Sequence, residues 1–135
     1  EKPTSLRSTG YKIRTDKWDH VTTDFYFDSG MKASITVGRN HVKEMRNVEI
    51  INEHGTLFFD LFSNELLVGR GTSSQDFVET YPYERRDHLY IEQDKFYNSI
   101  QNGSEIFVNY DDGLNAVEII DTVLKSLDSK SVEKL

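Results

Sequence analysis

Four histidines, His20, His41, His54 and His88, are the side chains best suited to proton transfer or metal binding. No two lie three or four residues apart, so no helical turn can bring a pair together as metal ligands. Three of them follow an acid directly, in Asp19-His20, Glu53-His54 and Asp87-His88. Sequence neighbours do not face each other in a helix and point apart in a strand. These three therefore read as surface polar residues near turns. His41 differs, because it sits in the polar stretch Gly38–Glu44 between two strand-like runs, with Arg39 before it and Arg46 beyond. Arginine presents a planar fork of donors that suits hydroxyls, carboxylates or a sugar phosphate. Arg39, His41 and Arg46 are thus the candidate ligand-facing set. The competing reading is a loop of solvated charges.

Other chemistry is excluded by what the chain lacks. Cysteine is absent, which removes disulfides, thiolate zinc sites and a cysteine nucleophile and fits a reducing cytoplasm. Gly69-Arg70-Gly71-Thr72 looks like a phosphate loop only superficially. A Walker loop needs Gly-Lys-[Ser/Thr] before a helix, and a dinucleotide loop needs G-x-G-x-x-G between strand and helix. Neither occurs, and no G-x-S-x-G marks a hydrolase elbow. The sequon Asn102-Gly103-Ser104 reads as chance in a chain without cysteine. No spacing singles out a carboxylate pair. No catalytic residue, cofactor-binding residue or metal ligand is expected.

The elements that must position any site come in a definite order. Val21, Thr23, Phe25 and Phe27 alternate with polar residues, as a half-buried strand does. Asp28-Ser29-Gly30 turns the chain, and Met31, Ala33, Ile35 and Val37 alternate in turn, which predicts a hairpin. Val48 and Ile50 mark a strand ending near Asn52. Asn52-Glu53-His54-Gly55 is a turn, Thr56 to Phe62 a strand, and Ser63-Asn64 a turn into a strand over 65–70. Residues 5–14 are also β-compatible. Residues 71–86 read as irregular, and Pro82 argues against regular structure there.

The last third reads as helical. Asp87 is placed to cap a helix ending near Asn102, with Gly103 as the residue after its end. Asp111 and Asp112 offer an N-cap and a favourable charge for a second helix. There Leu114, Val117, Ile120, Val123, Leu124 and Leu127 recur at spacings of three and four, which predicts one buried face. Strands first and helices last is an α+β arrangement: an open, mainly antiparallel sheet with helices packed on one face. The other face would carry Thr22, Asp24, Tyr26, Lys32, Ser34 and Thr36, together with Phe58 and Phe62 if they turn that way, and could meet water, a second domain, a ligand or a second subunit.

The length of 135 residues fits one compact domain, 1–135. The net charge of −7 argues against nucleic acid, whose binders need a basic surface. Arg85-Arg86 is the one basic pair, and Glu84 and Asp87 flank it. There is no apolar run of the length that spans a bilayer and no basic-then-apolar start, so no membrane association is expected.

Several segments together resemble the C-terminal domain of the glucose–fructose oxidoreductase and inositol dehydrogenase (Gfo/Idh/MocA) family. These are Lys2-Pro3-Thr4-Ser5-Leu6, the hairpin from Asp24 through Gly30 to Ile35, and the strand–turn–strand from Arg46 through Gly55 to Leu57. Glu92, Phe96, Ser99-Ile100 and Gly103 are similar to its penultimate helix. Asp112-Gly113-Leu114 through Ile120, then Ser126 and Val132, are similar to its final helix and closing strand. The resemblance covers nearly the whole chain.

This resemblance implies an open sheet that lines a sugar or polyol site and makes subunit contacts. NAD or NADP would be held by an N-terminal Rossmann domain that this chain lacks. The implied partners are that domain, the substrate and further copies of the chain, joined through the sheet face. The chain alone would be inactive, and the cytoplasm is the expected compartment. Glu1-Lys2-Pro3 spells the family's catalytic tripeptide, but the hairpin follows it almost at once, so its letters carry no role here. Asp16 and His20 have the spacing of the family's Asp-x-x-x-His, yet lie on the run into a strand. The alternative is a free-standing, non-catalytic binding or assembly module of the same fold. In that variant Trp18, Tyr26 and Tyr81 could stack on a sugar.

Overall fold

A computed structural model describes residues 1–63, 65–70, 78–82 and 88–135. The expected Asp87 cap, the Arg85-Arg86 pair and the Gly71–Gln75 stretch lie outside these residues. The chain forms two compact units. Unit 1 is Glu1–Val42 with Ile106–Leu135, and unit 2 is Lys43–Glu105.

Unit 1 holds β1 (Ser5–Tyr11), β2 (His20–Tyr26) and β3 (Lys32–Gly38), and its C-terminal segment adds a helix and a short strand. β2 and β3 form the expected hairpin, with Val21 opposite Val37 and Phe25 opposite Ala33. Its turn is closed by Gly30 N–H donating to Phe27 C=O at 3.0 Å. Unit 2 holds β4 (Asn47–Asn52), β5 (Gly55–Asp60), β6 (Glu65–Gly69), β7 (Val78–Pro82) and the helix α1 (His88–Asn102). β4 to β7 pair antiparallel in chain order. Gly55 is required where it stands: its φ is +138°, and a Cβ there would lie 2.1 Å from Gly69 C=O. The β7 strand corrects the expectation of irregular structure up to residue 86. Pro82 ends an edge strand, where the N–H that proline lacks is not needed by a neighbour. Gly103 follows α1 as expected and donates its N–H to Ser99 C=O at 3.0 Å.

The second helix of the chain, α2 (Tyr110–Ser129), is capped by Asn109 rather than by Asp111 or Asp112. Asn109 Oδ1 accepts from Asp112 N–H at 3.1 Å, and Asp112 Oδ2 accepts from Asn109 N–H at 2.9 Å. This reciprocal box needs the acid three residues into the helix, which is where Asp112 serves. Lys130 ends the helix in the left-handed region, at φ 58°. The chain then returns through β8 (Val132–Lys134), which pairs with β1 to give the order β3-β2-β1-β8.

The class is α+β with antiparallel sheets, and the fold is that expected from the sequence. The core of unit 1 is Leu6, Phe25 and Leu127, joined by the buried polar Ser8, Thr23 and Ser126. Gly10 admits the helix closely, since a Cβ on it would stand 3.1 Å from Leu127 Cδ2. Ser126 Oγ accepts from Ser8 N–H at 2.8 Å and donates to Ser131 C=O at 2.6 Å. α2 is therefore fastened to β1 where β8 stops, and a side chain completes what the strand ladder leaves open. The expected buried stripe of α2 is corrected. Leu127 is buried, but Leu114, Val117, Ile120 and Leu124 are exposed, because the helix turns Thr122 and Ser126 toward the sheet. α2 packs against β1 and β8, so Ile35 and Val37 on β3 stay exposed as well.

Candidate functional site

The segment between β1 and β2 is organised by one carboxylate. Asp19 Oδ2 accepts from the N–H groups of Ile13 and Arg14, both at 2.7 Å. Its Oδ1 accepts from Arg39 Nε and forms an ion pair with Arg39 Nη2. Arg39 Nη2 also donates to Thr15 Oγ1 at 2.8 Å. The Asp19 side chain is wholly out of solvent. The Arg14 N–H bond, with those from Ile13 and Arg39, outweighs burial and holds this carboxyl well below the usual carboxylate range. The loop after β1 and the residue after β3 are thereby tied together.

Arg39 has Nε and Nη2 engaged by Asp19 and Thr15, so its first role is positional, although half of its side chain meets solvent. His41 is exposed on the segment after β3. Arg46, just before β4, is exposed, with its guanidinium 5.8 Å from the centre of the Phe62 ring. Arg39 and His41 belong to unit 1 and Arg46 to unit 2.

Sequence reasoning missed a groove in unit 1. It has a volume of about 810 Å³ and lies among the Lys2–Thr4 segment, α2 and the end of β8. Pro3, Ala116 and Ile119 give it an apolar floor. Lys2, Lys125 and Lys134 share its rim with Asp112, Glu118 and Asp121. Lys2 Nζ donates to Asn115 Oδ1 at 3.3 Å across 113 residues of sequence. Charges of both signs in equal number give the rim no preference for an anion. Such a surface suits a neutral, hydroxyl-bearing molecule or another protein surface. In unit 2 a shallower cleft of about 350 Å³ lies between Ile50, His54, Leu57 and Arg70.

The Glu1-Lys2-Pro3 tripeptide is engaged in local structure. Glu1 accepts from Ser29 N–H at 3.1 Å and from Ser29 O–H at 2.6 Å, which lowers its carboxyl pKa and clamps the β2–β3 turn. His54 Nε2 lies 3.5 Å from its neighbour Glu53 on an exposed turn. Among the described residues no group of His, Cys, Asp and Glu gathers as a metal site. No helix among them is long and apolar enough to cross a membrane. A dinucleotide does not fit the helix start that is visible in full. The first turn of α2 carries Asp111 and Asp112, and the Asp112 carboxylate already takes the Asn109 N–H, so this end repels a phosphate.

Comparison with known structures places the fold. The chain is similar to UDP-N-acetylglucosamine 3-dehydrogenase GnnA from Acidithiobacillus ferrooxidans, with a TM-score of 0.85 and 21% identity, over 95% of this chain and 41% of that one. It is similar to aldose-aldose oxidoreductase from Caulobacter crescentus, solved with glycerol, with a TM-score of 0.83 and 16% identity, over 100% of this chain and 42% of that one. A levoglucosan dehydrogenase solved with NADH and levoglucosan matches with a TM-score of 0.82 and 18% identity, over 99% and 45%. No protein-family model matches the sequence, and no curated protein does. The chain thus has the α+β fold of the C-terminal domain of Gfo/Idh/MocA-type dehydrogenases. It spans less than half the length of these structures.

Proposed function

We propose that the chain is the C-terminal, substrate-binding and oligomerisation domain of an NAD(P)-dependent sugar or polyol oxidoreductase. One observation carries the reading: the fold matches three sugar-directed oxidoreductases over nearly all of this chain, yet over only 41–45% of theirs. In this reading the remaining length supplies a Rossmann domain, and NAD or NADP belongs to that domain. No step is assigned to the cofactor in this chain, where none is expected to bind. Without the hydride donor and an acid–base group held beside it, the chain alone is inactive. Arg39, His41 and Arg46 are proposed to face the substrate, with Arg39 held in place by Asp19. The assembly is proposed to be at least a dimer through the sheet face of Thr22, Asp24 and Thr36, in the cytoplasm.

The experiment is to read the codons upstream of Glu1 and to assay both products. A Gly-rich strand–turn–helix upstream, with sugar-dependent NAD(P) reduction by the longer protein and none by residues 1–135, supports the reading. Saturable turnover by residues 1–135 alone overturns the inactivity, and a stop codon upstream overturns the whole. In the longer enzyme, His41→Ala and Arg46→Ala are each expected to raise KM about tenfold, the loss of one to two hydrogen bonds to substrate.

A further inference from the structure

Asn102 closes α1, and Gly103 follows it. Of the asparagines in the chain, only Asn102 stands before a glycine. An asparagine side-chain carbonyl and the next backbone nitrogen can close a five-membered ring, and a side chain on the second residue hinders that closure. Gly103 has none, and a Cβ built on it would meet nothing within 4 Å. Asn102 Nδ2 donates to Asn98 Oδ1 at 3.4 Å, a long contact that holds the amide weakly. The stronger restraint is in the backbone. Gly103 N–H is donated to Ser99 C=O at 3.0 Å, and the helical conformation of Asn102 keeps that nitrogen turned from the side-chain carbon. A last helical turn opens far more readily than the body of a helix. Asn98, Ser99, Asn102 and Gly103 all belong to one helix end within unit 2. Asp112-Gly113 is the chain's comparable acid–glycine pair, and it is held more firmly. Its carboxylate takes the Asn109 N–H at 2.9 Å, and Gly113 N–H is donated to Asn109 C=O at 3.2 Å, inside the capping box of α2.

We propose that Asn102-Gly103 is a site of spontaneous covalent modification, where the side-chain amide becomes an acid through a succinimide, and that the Ser99–Gly103 hydrogen bond sets its rate. When the turn opens, Gly103 N bonds to Asn102 Cγ. The Cγ–Nδ2 bond breaks, and ammonia leaves with the proton that Gly103 N gives up. Water then adds to one of the two ring carbonyls. Opening at Cγ leaves an aspartyl residue. Opening at the main-chain carbonyl leaves an isoaspartyl residue, with one more carbon in the main chain. Water is the sole co-reactant, and nothing is oxidised or reduced. Either product places a carboxylate at the negative end of the α1 dipole, where the last turn carries no basic residue. The modification therefore loosens the turn that restrained it.

The test uses residues 1–135 incubated in mildly alkaline buffer, with and without denaturing urea. Conversion is read peptide by peptide from mass and chromatographic position, and released ammonia is a second readout. Exchange of the Gly103 amide hydrogen is measured in the same buffer. The expected result is conversion at 102 in both samples, slower in the folded chain by the protection factor of the Gly103 amide to within about threefold. Folding slows isomerisation at Asp112-Gly113 by a larger factor. Asn102→Gln, whose longer side chain cannot close the five-membered ring, releases no ammonia from this peptide. In the converted chain, amide exchange over 99–103 rises about twofold to fivefold. No conversion at 102 in the folded chain while the urea sample converts overturns the site. Equal rates with and without urea overturn the control by the Ser99–Gly103 bond. Ammonia release undiminished in Asn102→Gln assigns the reaction elsewhere and also overturns the site.

Discussion

Asp19 carries two backbone N–H groups and the Arg39 guanidinium on one carboxylate, so its charged form is worth more in the folded chain than in the unfolded one. Its folded pKa lies below the ordinary 3.8, and the unfolded chain therefore binds more protons as pH falls. Asp24 shifts the same way, through Ser34 first and then Lys32. Their stabilisation is complete above the ordinary carboxylate value and is lost as pH drops below about 4 toward the folded pKa. Urea midpoints measured from pH 7 to pH 2 are expected to fall along this limb, and Asp19→Asn to flatten it while lowering the midpoint at pH 7. A limb as steep in Asp19→Asn as in the parent would contradict the assignment. Leu6 is fully buried at the centre of unit 1, and Leu6→Ala is expected to cost about 2–5 kcal/mol in the same titration. The sequence shows Asp19 only as the neighbour of His20. Its partner Arg39 is 20 residues away, and no local spacing reveals that the arginine is held by an acid.

Among the elements, the strands that alternate strongly were legible, because period two is a local property of the chain. β2, β3 and β5 fall where the alternation places them, and the Asn52–Gly55 turn stands where Gly55 is needed. β7 was not legible, because an edge strand tolerates a proline that a central one excludes. α2 was legible as a helix and misread as to its buried side. Periodicity identifies the apolar face, but the sheet selects the face that fits closest, and here Ser126 and Thr122 let α2 reach β1. The N-cap is a second case. Asn109→Ala removes the acceptor for Asp112 N–H and is expected to cost about 1 kcal/mol, read as a lower thermal midpoint. Asp111→Ala, outside the box, is expected to cost less than half as much. Equal losses would return the cap to the acids.

At the scale of the whole molecule, the fold class was legible and the candidate site only in part. His41 and Arg46 are both exposed, and the groove beside α2 is built from residues at opposite ends of the sequence. Lys2 meets Asn115, and Ser5 lies opposite Lys134, and no window along the sequence contains either pair. The sheet face of unit 1 yields the prediction at this scale. Thr22 and Thr36 share a hydroxyl contact of 3.0 Å on it, and Lys32 pairs with Asp24 at 3.1 Å. Light scattering at high protein concentration is expected to give at least twice the monomer mass, and Thr36→Arg to reduce it to one. A monomeric parent would remove the sheet face as an interface.

Ser126 bridges Ser8 and Ser131, and β8 pairs with β1, so unit 1 is closed by segments that follow unit 2 in the sequence. On the ribosome β1, β2 and β3 emerge before unit 2, and α2 and β8 emerge after it. At roughly 5–20 residues per second the nascent first sheet waits several seconds for its cover. During that interval Leu6 and Phe25 have no Leu127 to close over them, and the Ser8 amide has no hydroxyl to meet. Unit 1 therefore matures only once α2 and β8 have emerged, and until then its uncovered first sheet is exposed to aggregation and to chaperones.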